Sequence, residues 1–121
     1  MNNFQQPGCV ISVPSAATAV ASGQVVRLGN ILAVAAHAAA QGQAYEANVR
    51  GVYVVPKVSG AVIAQGESLT WDASAGAFDD NLATAATGDV TGAAAFAFEA
   101  AGNGVTSLAV YFTGVPGVVT A

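Results

Sequence analysis

Apolar and polar positions alternate most clearly along Ala44–Val55. Tyr45, Ala47 and Val49 fall on one face, and Glu46, Asn48 and Arg50 on the other, the period of a half-buried β-strand. At Gly51 the pattern breaks, because Val52 and Val54 place apolar side chains on the formerly polar face. A glycine within such a strand predicts a bulge or a change of sheet. Pro56 ends the ladder by removing a donor.

Elsewhere, glycines and small polar clusters interrupt the chain at short intervals, the punctuation of an all-β sandwich or barrel. The predicted elements are a strand over Cys9–Val13 stopped by Pro14, then Ala17–Val20 and Gln24–Leu28 around a turn at Ala21-Ser22-Gly23. Ser68–Asp72 and Ala77–Asp79 form a hairpin on which Trp71 and Phe78 can meet across the strands. Asn81–Gly88 reads as a small-residue loop. Thr91–Glu99 and Val105–Thr113 read as longer strands joined around Gly102-Asn103-Gly104. In the second of these Leu108, Val110 and Phe112 share a face. In the first, Phe96 and Phe98 lie opposite an Ala93/Ala95/Ala97 face, flat enough for another sheet or chain to approach closely. Ile31–Ala36 is ambiguous: ILAVAAHAAAQ has good helix propensity and Asn30 can serve as an N-cap, but the surrounding β pattern favours a strand. The expected fold is all-β: a compact barrel or sandwich of short antiparallel strands over residues 9–121, with residues 1–8 as an extended polar arm.

Composition changes the picture in one respect. Of 121 residues, 54% are apolar and only 8% charged, against about 25% charged in ordinary soluble domains. A mean hydropathy of +0.55 raises the question of a membrane span, which needs about 20 consecutive apolar residues. Ile31–Ala40 is too short, and Met1–Gly8 lacks the layout of a signal peptide. No membrane partner is therefore expected. A surface this poor in charge is short of the usual protection against association, and points to an oligomer or a shell component.

Candidate chemistry is sparse. The net charge is −4, and Arg27, Arg50 and Lys57 are the only basic side chains besides His37, too few for a nucleic-acid surface. One cysteine excludes an internal disulfide and a cysteine-cluster metal site. His37 stands alone without a G-x-S-x-G elbow, and Cys9 has no basic sequence neighbour to lower its pKa. Asp72, Asp79 and Asp80 lack calcium-loop spacing. No enzyme, cofactor or metal is expected.

The order Gly51-Val52-Tyr53, Pro56-Lys57, Ser59-Gly60, Gln65-Gly66, Trp71-Asp72 closely resembles the "GV(F/Y)xLPKxSG…xxQGxxVYWD…G" pattern of small tailed-phage capsid decoration or cement proteins. Gln6-Pro7-Gly8 and Ala19–Gly23 resemble that family's opening. Cys9 departs from it, standing where the family often has an acid. The resemblance implies a structural protein that binds the outer face of a phage capsid, with the major capsid protein and two further copies of itself as partners. It implies a virion protein made in the host cytoplasm, and a homotrimer that stabilises the shell by cross-linking its subunits. Relatives are sometimes catalogued as recombinase-like, but no G-x-x-x-x-G-K-[ST] phosphate loop is present. The expected capsid or inter-subunit contacts are Phe4, Gln5, Gln6, Pro7 and Lys57, and the expected protomer interface is Ala93, Ala95 and Ala97. The alternative is a host-recognition or fibre-attachment module using Tyr45, Tyr53 or Trp71 as an exposed platform.

Overall fold

The long strand foreseen at Ala44–Val55 is shared between two sheets. In the computed structural model, which describes residues 9–121, its first part is β4 (Tyr45–Asn48) and its second is β5 (Arg50–Pro56). β4 lies in a sheet of order β1-β4-β3-β2, with β1 at Val10–Val13, β2 at Val25–Leu28 and β3 at Ile31–Ala35. β5 lies in a second sheet of order β5-β10-β9, with β9 at Ala95–Ala97 and β10 at Ser107–Thr113. Gly51 sits just past the switch with φ +126°, a conformation open to glycine and strained for other residues. The sheet change was legible from the glycine and the break in alternation.

A third sheet has the order β11-β8-β6-β7. It comprises β6 (Thr70–Asp72), β7 (Ala77–Asp79), β8 (Val90–Thr91) and β11 (Val118–Val119). All strand pairings within the three sheets are antiparallel. The fold is all-β and sandwich-like, as expected, and no helix occurs among the described residues.

The ambiguous Ala-rich stretch forms β3, and its burial explains its pattern. Leu32 and Val34 face the main core, whereas Ala33 and Ala35 face a second cluster with Ala16, Val20, Ala39, Tyr45 and Ala47. A strand buried on both faces loses its polar alternation, and alanines let the covering loops pack closely.

The main core is centred on a chain of aromatic rings. Trp71 meets Phe78 at 4.9 Å, Phe78 meets Phe112 at 5.8 Å, and Phe112 meets Tyr53 at 5.9 Å, all edge to face. The cross-strand pairing Trp71↔Phe78 fixes the first contact. These are the preferred aromatic geometries, each adding about 0.5–1.5 kcal/mol beyond buried area.

Two expectations change. Ala17–Val20 is no strand; within it only Val20 pairs, as an isolated bridge to Ala39. Thr91–Glu99 is not continuous: β8 ends at Thr91 and β9 begins at Ala95. The break follows Gly92, whose φ is +91°. Its first part pairs with β11 instead of β10, an association that demands close approach. A Cβ on Gly117 would lie 2.6 Å from the Thr91 carbonyl oxygen.

Candidate interaction surface

The register of the β5-β10-β9 sheet decides which side chains face inward. Leu108, Val110 and Phe112 of β10 are buried, opposite Val55, Tyr53 and Gly51 of β5. On β9 the inward residues are Ala95 and Ala97, paired with Phe112 and Val110. The Ala face therefore packs against the chain's own core. Ala95 and Ala97 are buried there, leaving only Ala93, before the strand, exposed. Of the expected protomer interface, Ala93 is thus the residue left at the surface. The small side chains give room to Phe112 and Val110 within the chain.

Among the described residues, the opposite side of the same sheet is open and apolar. Val52 pairs with Tyr111 and Tyr111 with Phe96, forming one row across the three strands. Val54 pairs with Ala109, whose carbonyl accepts the Phe98 N–H at 3.0 Å. Phe96 and Tyr111 stack with centroids 4.9 Å apart and planes 17° from parallel. Val54 is 74% exposed and Phe98 46%. A contiguous uncovered patch of valine and aromatic side chains, in contrast to single exposed apolar residues, marks an interaction surface. Its signal in the sequence was the apolar pair Val52/Val54 on the polar phase, together with Phe96 and Phe98 opposite the alanines.

Lys57 is drawn inward. It is 3% exposed, and its Nζ donates to the carbonyls of Val58 at 2.8 Å, Val105 at 3.0 Å and Ser59 at 3.5 Å. Its backbone N–H donates to Thr106 O at 2.9 Å. The ammonium thus ties the loop after β5 to the loop before β10, so the charge expected at a capsid or inter-subunit contact is hydrogen-bonded within the chain. Phe4, Gln5, Gln6 and Pro7 lie outside the described residues.

The remaining polar groups also serve turns. Asp89, though buried, accepts the Ala73 and Ala86 N–H groups with its two oxygens. Asp72 accepts the Ser74 hydroxyl at 2.8 Å and the Ala75 N–H at 3.2 Å, which hold its carboxyl below the usual range. His37 is exposed, with Nε2 3.4 Å from the Glu46 N–H and Nδ1 3.2 Å from Ala38 O. Among the described residues, no group of three or more His, Cys, Asp or Glu side chains could hold a metal ion. Tyr45 and Trp71 are buried and Tyr53 half-buried, so the aromatic platform of the host-recognition alternative is not formed by these residues.

A family model described as phage cement protein matches residues 5–112. The chain belongs to that family. Its role is therefore that of a structural, capsid-associated phage protein. No curated protein matches the chain in a direct search. For a cement protein, the open apolar sheet face is the surface with the chemistry of a protein contact.

Proposed function

We propose that this cement protein binds the outside of the capsid as a homotrimer and stabilises the shell without catalysing a reaction. The observation that carries the reading is the uncovered face of Val52, Val54, Phe96, Phe98 and Tyr111 in a chain belonging to the cement family. Apolar contact with a capsid subunit would remove these side chains from water, at roughly 25 cal/mol per Å² of apolar area. The proposed mechanism is cross-linking: each protomer holds a different capsid subunit, so subunits under internal pressure cannot separate without breaking cement contacts.

Multivalency supplies the strength. A single contact of about 1 mM corresponds to roughly −4 kcal/mol. Joining several such contacts in one trimer makes the later ones intramolecular and can tighten binding about 10²–10⁴-fold. The arm of residues 1–8, with Phe4 as its apolar group and Gln5, Gln6 and Pro7 beside it, is proposed to lie along a neighbouring subunit. Co-sedimentation of the purified protein with expanded empty shells lacking it tests the reading. Saturable binding in fixed ratio to capsid subunits supports it, and no binding overturns it.

A further inference from the structure

Among the described residues β2 is an edge strand, and its outer side borders an open groove of about 850 Å³. One wall consists of Gln24–Gly29 with the segment before it; Trp71, Ala73 and Gly76 of the β6–β7 hairpin contribute to the other. The register fixes which backbone groups of β2 have no partner among the described residues. Ala35 N donates to Gln24 O, and Leu28 pairs with Ile31 across a two-residue turn. Antiparallel ladders alternate, so Val25 and Arg27 turn their N–H and C=O groups away from β3.

Among the described residues of the lining, Arg27 is the only charged one, with no Asp or Glu. Its Nη1 donates to Gly29 O at 2.8 Å, which holds the guanidinium beside the strand edge. In a protein of net charge −4 this groove is locally cationic.

The complementary chemistry occurs on the same chain. Glu67 accepts the Asn81 N–H at 2.8 Å, Asp79 accepts the Asp80 N–H at 2.8 Å, and Asp80 accepts the Leu82 N–H at 3.1 Å. These bonds place three carboxylates along the turn that leads to Leu82, with Glu67 also accepting the Ala64 N–H at 3.0 Å. At 87% exposure, Leu82 is the most exposed large apolar side chain of the described residues. Asp79 pairs with Thr70 at one end of the hairpin, whereas Ala73 and Gly76 at its turn border the groove. The corner therefore lies at the end of the hairpin opposite the turn that borders the groove.

We propose that the β2 groove receives the Glu67–Asp79–Asp80–Leu82 corner of a second copy of this chain. Leu82 enters the groove, the carboxylates face Arg27, and the corner's backbone meets the outward groups of Val25 and Arg27. Such a contact joins unlike surfaces and is satisfied throughout only when the copies close into a ring. It deepens the trimer of the cement reading by supplying its contact, and it leaves the β5-β10-β9 face free for the shell.

Sedimentation velocity of the full chain over a concentration series tests the proposal, with circular dichroism confirming that each variant is folded. The wild type should sediment as a closed oligomer that weakens as salt screens the charges. Arg27→Glu, Asp80→Arg and Leu82→Ser should each weaken association by at least about tenfold, and Arg27→Glu combined with Asp80→Arg should recover most of that loss. A monomeric wild type, an unaffected Arg27→Glu protein, or a double variant no better than its worse parent would overturn the proposal. Shell binding is read separately. Monomeric Arg27→Glu protein that still binds shells weakly supports both readings, whereas assembled wild type that ignores shells defeats the cement reading alone.

Discussion

Replacing Lys57 with methionine separates a structural role from a contact role at one position. Methionine keeps most of the apolar stem and deletes the ammonium. The wild-type Nζ makes bonds of 2.8 and 3.0 Å to Val58 O and Val105 O, plus a marginal one of 3.5 Å to Ser59 O. Hydrogen bonds from a charged donor contribute about 1.5–3 kcal/mol each, net of water. Two good bonds therefore set an upper range of about 3–6 kcal/mol. Removing a buried cation also relieves its desolvation cost, and Val58 O keeps the Ala61 N–H as a partner at 3.1 Å. The expected net loss is about 2–4 kcal/mol, a substantial part of the roughly 5–15 kcal/mol that holds a domain of this kind together. At about 3–6 °C per kcal/mol for a chain of this size, the melting temperature should fall by roughly 6–24 °C. Urea and thermal unfolding followed by fluorescence of Trp71, the single tryptophan, measure the loss directly. Shell binding below the transition should be unchanged. A Lys57→Met protein within about 0.5 kcal/mol of wild type that loses shell binding would refute the assignment and return Lys57 to the surface.

Phe78→Ala should cost about 3–5 kcal/mol in urea unfolding, because it removes the ring between Trp71 and Phe112; Phe78→Leu should cost less than about 1.5 kcal/mol. Val54→Asp, alone and with Phe98→Asp, should leave stability within about 0.5 kcal/mol while weakening shell binding in co-sedimentation. An acidic pair that binds normally would remove this sheet face from the contact. Asp72 has a lowered folded pKa relative to its ordinary 3.8, so its contribution is present above that value and is lost as pH falls through the folded pKa. Unfolding midpoints of Asp72→Ala and wild type should accordingly differ near neutral pH and converge below pH ~3.8.

The sequence carried much of the fold because local pattern and turn chemistry agree there. The period-2 run from Tyr45, the break at Gly51 and the Trp71/Phe78 hairpin each depend on neighbours in sequence. Ile31–Ala35 was harder, because burial on both faces erased its alternation. The β8–β11 pairing was not legible: two-residue strands carry almost no period, and their association depends on the close approach at Gly117. At the interaction surface, pattern separated the alanine and phenylalanine faces of β9 but could not say which turned inward. Pairing with Val110 and Phe112 of β10 decides that. The burial of Lys57 was not legible for a related reason. Its charge suggests solvent, while the carbonyls that surround it come from both its own loop and Val105, 48 residues away.

The most direct test of the cement assignment is the temperature at which purified empty shells fall apart, measured by light scattering with and without saturating protein. Cross-linking by the cement protein requires a fixed binding ratio to capsid subunits and a higher disruption temperature on addition. It also predicts that this gain is lost when Val54→Asp/Phe98→Asp protein replaces wild type. Shells that bind the protein fully and yet come apart at an unchanged temperature would contradict it.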